Sequence, residues 1–594
     1  MNHRILQDLV EKSADLYPHL PAVIEERATT TYAELNQRAN QLAWLLKDQG
    51  VRPDKVVAIA LDSSADYVCA QLATLKAGCA FMPFSFATPA SRLAKIFSSV
   101  QPVAVIAGAE SLDDLRRVSK LVPDPLEVLV LLREDRCFYA ADAQGTTLNG
   151  APERSDNPPS LAGEDSAAYI VFTSGSTGEP KIIRGLQKSL SHFVHWEKKE
   201  FELDSSLRTL SLAPPTFDVS LRDVFLPLLC GGAVCIPDGT TRRNIPALVR
   251  FINSRQVNLI HCVPSLFREI TRYLVELDAE GFQGVRYLML AGEPLYGADV
   301  INFQENTRNN TQLVNLYGPS ETTLAKMFYR IGSEPLQAGQ IVPVGNPISN
   351  TAVILLKDNR LCAVGEVGEI HIKTPYRSGG YIGNRELNAA AFIQNPLNDE
   401  EDIIYRTGDL GRYRPDRSVD FIGRVDRQVK LRGHRVELPE IEKAVAAIAA
   451  IRQVYVRPSL REGLVDGLIC YYTLSAPCSK EQIVDHLQQN LPPYMIPDYF
   501  QELEQFPVNL HGKVDPKQLP LPDEKIYRET DFVQPATATE EKVCRVFCQA
   551  ANLAKIGATT SLLDAGANSL TMIKVATALY RELGVEVDIA TLFS

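Results

Sequence analysis

The sequence predicts an α/β protein in three parts: a large layered N-terminal core, a small α+β unit, and an all-α segment at the C-terminal end. Three observations carry that prediction. Short β-rich apolar runs alternate with helical periodicities through the first half of the chain. Around residues 411–430 the texture turns charged and turn-rich, GRYRPDRSVDFIGRVDRQVK, and mixed elements follow. Beyond a polar linker, helical periodicity resumes alone.

In ELNQRANQLAWLLKDQG, Leu35, Ala39, Leu42, Leu45 and Leu46 share one helical face, and Gly50 supplies a stop. KVVAIAL (55–61) reads as a strand, and the helical pattern YVCAQLATLKAG ends at Gly78. PVAVIAG (102–108) and LEVLVLL (126–132) are further apolar runs of the kind that parallel sheets bury on both faces. After residue 430, ELPEIEKAVAAIAA reads as a helix, RQVYVRP and GLICYYTLS as strands, and another helix opens at Ser479. Pro516, Pro520, Pro522 and the stretch EKIYRETDFVQPATATE mark a linker. EEKVCRVFCQAANLA and LTMIKVATALYRELG then read as helices.

The 594 residues provide for several domains. Composition is that of an ordinary globular chain, 45% apolar and 22% charged. A net charge of -11 argues against a nucleic-acid partner, which requires a basic surface, and against attraction to anionic membranes. No apolar run reaches the ~18 residues of a membrane span, and the N-terminal stretch lacks a signal-peptide core, so a cytoplasmic enzyme is expected. The eleven cysteines are scattered without a CxxC, which favours reduced thiols. Cys544 and Cys548, four apart on a helix, read as small core residues. His192 and His195 share a helix face but have no third ligand nearby, which makes a poor metal site.

The strongest local signal is YIVFTSGSTGEPK (169–181). Gly175 and Gly178 let the backbone approach an anion. Thr173, Ser174, Ser176 and Thr177 offer donors to phosphate oxygens, and Lys181 adds a positive charge. The spacing is not that of a Walker A loop. Taken alone, such a loop reads equally well as a flexible turn. In NLYGPSETT (315–323), Tyr317 offers a flat face for adenine and Asn315 an amide for its edge. Gly318 and Pro319 force a turn, and Ser320 and Thr322 can reach an α-phosphate. In YRTGDLG (405–411), the two oxygens of Asp409 suit a vicinal diol such as ribose.

These segments stand in order with TYAEL (31–35), LKAGCAFMP (75–83), FDVSLRD (217–223), GEIHI (368–372), GRVDRQVKLRGHRVELPEIE (423–442) and NLHGKVD (509–515). Together they resemble the adenylation domains of nonribosomal peptide synthetases, within the acyl-activating superfamily of acyl-CoA synthetases and luciferases. FMPFSF and KTPYRSGGY depart from the family's usual loops without removing a chemical group. LLDAGANSLTMIKV (562–575) resembles the attachment site of a carrier domain, with Ala567 where a second glycine is usual.

The resemblance implies an adenylate-forming core over 1–425, a small lid subdomain over 426–522, a linker over 523–537 and a partial peptidyl carrier domain over 538–594. It implies Glu321 as a Mg²⁺ ligand, Arg424 as a second ribose and phosphate contact, Asp426 as hinge and Lys513 as the catalytic lysine. Arg424 reads equally as an interdomain salt bridge. Ser569 would carry 4'-phosphopantetheine, attached by a separate phosphopantetheinyl transferase, with downstream synthetase modules as partners. ATP would activate an amino acid and release pyrophosphate, and the arm would receive the product. Two other readings compete: a stand-alone acyl- or aryl-CoA synthetase, and a non-catalytic adenylate-binding scaffold.

The same resemblance gives Asp218 the substrate's α-amino group and lines the pocket with Phe217, Val219, Arg222, Cys262, Met289, Ala291, Gly292, Leu316, Leu324 and Ala325, closed by Lys513. That mostly apolar lining implies a hydrophobic or aromatic substrate, phenylalanine first. Arg222 is the odd member, and a charge satisfied at the pocket rim is the favoured reading of it over an acidic or hydroxylated substrate. With Met1 close to the first helix and neither HHxxxD before nor GxSxG after, the chain is similar to a loading module of the microcystin-type hybrid synthetases, whose substrates are phenylalanine-like or phenylpropanoid acids.

Overall fold

Two large sheets with helices between and outside them organise the first 350 residues in the computed structural model. It describes residues 5–120, 128–141, 146–175, 180–276, 281–307, 310–332, 334–461, 464–507, 514–520, 533–551, 555–560, 569–583, 585 and 587. Among these, one sheet has nine strands and the other eight. The nine-stranded sheet is parallel through its centre, running from Gln312–Tyr317 through Tyr287–Leu290, Leu259–Cys262, Arg208–Leu210 and Ala233–Cys235 to Pro21–Ile24. The eight-stranded sheet is parallel from Ala167–Thr173 through Ala80–Pro83, Val56–Ala60 and Ala104–Gly108 to Val128–Leu132. Antiparallel strands close the edges of both.

The layer between the sheets explains the continuous apolar runs. Every residue of the helices Ala65–Lys76 and Ser220–Cys230 is buried there. Leu35, Ala39, Leu42, Leu45 and Leu46 pack into the same cluster from the helix Tyr32–Asp48. That helix starts on a capping box between Thr31 and Glu34, and Gly50 follows it at φ +85°. Outer helices cover the remaining faces with two further apolar clusters. The fold class is therefore the layered α/β core that the alternation predicts.

A six-stranded antiparallel sheet, Ala352 to Arg424, packs against the Tyr317 end of the nine-stranded sheet. A small α+β unit follows. It comprises the hairpin Gln428–Leu431/His434–Glu437, the helices Leu438–Ala446 and Lys480–Asn490, and three strands around its own core. Ser479 caps the second helix through a capping box with Gln482. The helices Ala538–Ala551 and Ser569–Leu583 pack on each other through Val546, Phe547, Val575 and Leu579. Cys544 and Cys548 lie half-buried on the first of these. His192 stacks on Tyr376 with ring centroids 3.9 Å apart, and His195 Nδ1 lies 2.7 Å from the Ser191 carbonyl oxygen. Among the described residues no helix is long and apolar enough to cross a membrane.

Candidate active site

The C-terminal ends of the core strands and the hairpin of the small unit face each other across a cleft. On the core side, Ala167–Thr173 and Lys181–Leu186 run antiparallel, with Thr173 opposite Lys181. They bracket the hydroxyl-rich loop, of which Ser174 and Gly175 are described; Ser176, Thr177 and Gly178 lie outside the described residues. The donors of this loop already hold carboxylates. Gly175 N–H donates to Glu440 Oε2 at 3.0 Å, and Lys181 Nζ lies 2.9 Å from Glu437 Oε1. Ser174 Oγ donates to the Arg435 carbonyl at 2.5 Å. Among the described residues, Thr173 Oγ1 is buried without a partner. Arg92 forms a buried ion pair with Glu440. A group of donors that gathers two carboxylates is an anion site.

The second wall descends from the strand Gln312–Tyr317. Its turn is tight: a Cβ on Gly318 would lie 2.3 Å from the Leu324 carbonyl oxygen. Thr323 and Leu324 both sit at positive φ, +67° and +57°, a strained conformation for residues with side chains. Tyr317 donates its hydroxyl to Asp409 Oδ2 at 2.5 Å, and Arg424 holds the other oxygen of Asp409. Arg424 also donates to both oxygens of Asp426, at 2.6 and 2.8 Å. Burial first, and then the neighbouring Asp409, push the Tyr317 hydroxyl well above its ordinary pKa. Residues 92 positions apart thus meet in one hydrogen-bonded group.

Three sequence expectations change here. Asn315 spends its amide hydrogens on the carbonyls of Pro343 (2.9 Å) and Val342 (3.3 Å), so only Oδ1 is left for a base edge. Thr322 donates its hydroxyl to the Pro319 carbonyl at 3.1 Å and is fully buried, so it caps its own turn rather than reaching a phosphate. Met289 packs in the core beside Leu316 and Leu324 and lines neither cavity.

Glu321 is fully buried. Arg435 Nη1 lies 2.9 and 3.0 Å from its two oxygens, and Tyr381 donates a third hydrogen bond at 2.7 Å. Burial alone would raise its carboxyl. The Arg435 charge, the Tyr381 hydroxyl and Lys181 outweigh it and hold the group below the usual carboxylate range.

Two contiguous cavities, of 340 and 370 Å³, share Asp218, Val219, Arg222, Ala291, Gly292, Tyr317 and Ser320 as walls. One extends toward Ser174, Phe217 and Cys262; the other toward Asn315, Leu316, Leu324 and Ala325. Phe217 meets His434 of the hairpin edge-on at 4.6 Å. Burial pushes the Asp218 carboxyl up; the Ser320 hydroxyl and the Arg222 charge oppose that, and Glu321 adds to it. If Asp218 receives an ammonium group, it must be ionised to do so. The KM for the amino acid is therefore expected to rise about tenfold per pH unit below this raised pKa and to be flat above it. Exchange kinetics from pH 5 to 8 check this, with Asp218→Asn losing that acid limb.

Arg435, Glu437 and Glu440 were not singled out from sequence, although GRVDRQVKLRGHRVELPEIE contains all three. Lys513 lies outside the described residues, as does the side chain of Ser569, whose backbone opens the helix Ser569–Leu583.

Residues 10–382 match the family model described as AMP-binding enzyme. The chain belongs to the AMP-binding enzyme family. Residues 541–594 of this AMP-binding enzyme match a second model, the phosphopantetheine attachment site. It is 33% identical over 592 residues to a dimodular nonribosomal peptide synthase of Bacillus subtilis (strain 168) and 31% identical over 593 residues to tyrocidine synthase 3 of Brevibacillus parabrevis. Each alignment takes in 99% of this chain, but only 24% and 9% of the respective relatives. In fold it is similar to holo-PA1221, a protein containing adenylation and PCP domains (TM-score 0.78, 24% identity, 99% of this chain and 93% of that one). It is also similar to the Vibrio cholerae adenylation domain AlmE in complex with glycyl-adenosine-5'-phosphate (TM-score 0.74, 22% identity, 86% and 96%). The AMP-binding enzyme family found is the wider family to which the motifs point.

A divalent cation at Glu321 would have to displace Arg435. The buried Glu321 carboxylate already carries a cation, the Arg435 guanidinium, across both oxygens.

Proposed function

We propose that this enzyme activates an α-amino acid with ATP as its adenylate, releases pyrophosphate, and passes the acyl group to a carrier arm on Ser569. The observation that carries this reading is the convergence of the Tyr317–Asp409–Arg424 group, the Gly175/Lys181 anion site and the Asp218 cavity on one cleft. In this reading Tyr317 and Asn315 Oδ1 hold the base, and Asp409 with Arg424 takes the ribose hydroxyls. The 173–181 loop takes phosphates where Glu437 and Glu440 now sit. Asp218 binds the α-ammonium and so aims the α-carboxylate at the phosphorus. An attacking carboxylate and a phosphate repel each other. Lys513 neutralises that repulsion and fixes an in-line approach, so that the new P–O bond forms as the bond to pyrophosphate breaks. Glu321 would hold Mg²⁺, which when bound offsets charge on the departing pyrophosphate. Ser569 would hold the phosphopantetheine arm, which when bound supplies the accepting thiol.

The pocket walls Val219, Ala291, Leu316, Leu324 and Ala325 favour a side chain with an apolar body. A phosphopantetheinyl transferase and further synthetase modules are the partners this reading requires. Pyrophosphate exchange across amino acids, phenylpropanoid acids and fatty acids tests it. Exchange is expected with one or a few amino acids, about 10²-fold above their desamino analogues because Asp218 would otherwise stay unpaired. Equal exchange with fatty acids would sink the amino-acid reading.

A further inference from the structure

We propose that the substrate's side chain bears a carboxylate that pairs with Arg222, which makes the substrate an α-amino dicarboxylic acid. The inference rests on the adenylation reading above and specifies its pocket.

Arg222 does not sit at the rim. It is 3% exposed, it projects from the helix Ser220–Cys230, and it lines both cavities beside Asp218. Among the described residues it makes no hydrogen bond and no ion pair, and its Nε is buried without a partner. A buried guanidinium without a partner is a strong demand for an anion.

The acids around it are committed elsewhere. Asp223 Oδ1 lies 2.8 Å from His261 Nδ1, and His261 Nε2 lies 2.9 Å from Glu197. Asp223 is thus turned to His261 and makes no hydrogen bond to Arg222 among the described residues. Glu293 accepts from the backbone N–H and the hydroxyl of Ser265, both at 2.9 Å. Glu321 is held by Arg435. Cys262 supplies no negative charge either, since burial pushes its thiol up to about 12.

Among the described residues, Asp218 is close enough for its carboxyl to feel the Arg222 charge. In the empty site the two offset each other. Once a substrate ammonium pairs with Asp218, no described carboxylate hydrogen-bonds Arg222 in the cavity. A second carboxylate on the substrate restores the balance, and the planar fork of the guanidinium receives it bidentately. A hydroxyl would accept a hydrogen bond but leave the charge. A phenylalanine ring would leave both.

The test is pyrophosphate exchange by the full chain with aspartate, glutamate and 2-aminoadipate, set against asparagine, glutamine, leucine and phenylalanine. The native chain is compared with Arg222→Leu and Arg222→Lys. One dicarboxylate is expected to give the highest kcat/KM, about 10²-fold or more above a neutral counterpart. Arg222→Leu should lower that value by a similar factor, mainly through KM, and raise the value for a neutral amino acid. Arg222→Lys should recover part of the loss, and it keeps the test open if the leucine variant does not fold. A native preference for a neutral amino acid, or an unchanged ranking in folded Arg222→Leu, overturns the inference and leaves adenylation standing. No exchange with any acid overturns both.

Discussion

Lys513→Ala is expected to lower amino-acid-dependent pyrophosphate exchange by about 10²–10³-fold, the loss typical when one charge-stabilising donor is removed from a transition state. The effect should fall on kcat. ATP and amino acid would still be held by Tyr317, Asp409 and Asp218, so their KM values should move by less than about threefold. Transfer to the carrier from a supplied aminoacyl-adenylate should stay near native, because that step needs no second charge brought against the phosphate. Radioactive exchange and single-turnover transfer, measured on one preparation, separate the two. Undiminished exchange would remove Lys513 from the chemistry.

Ser569→Ala divides the activities the other way. Covalent capture of radiolabelled amino acid by the holo-protein should vanish, since no other oxygen would bear the arm. Exchange should stay within about twofold of native, because the cleft is built from residues before 520. Intact-mass spectrometry after treatment with a phosphopantetheinyl transferase and coenzyme A reads the result directly. A variant that still gains the mass of the arm would place the attachment elsewhere.

Much of the fold was legible because it is written in local period. The helix from Tyr32 and the strands from Val56, Ala104 and Val128 follow from apolar spacing, and the Ser479 helix follows from its cap. The site was legible as a set of motifs but not as a set of bonds. Asn315 and Thr322 carry suitable groups, yet nearby carbonyls claim their hydrogens, which no spacing rule reveals. Sequence alone favours the rim for Arg222, since charges are seldom buried. The His261–Asp223 bond that isolates it joins positions 38 apart. The pairs Arg435–Glu321, Glu437–Lys181 and Glu440–Gly175 span 114, 256 and 265 positions, and no local pattern announces contacts at such range.

Those three contacts also bear on how tightly the enzyme holds nucleotide. The hairpin and its following helix place two carboxylates and a guanidinium on Gly175, Lys181 and Glu321; if these groups take phosphates and their counter-ion as proposed, the chain would compete with ATP for its own seat. Apparent nucleotide affinity is then the intrinsic affinity scaled by the fraction of molecules whose hairpin stands clear. A tethered rival of this kind would loosen nucleotide by holding the same donors, with no change in the donors themselves.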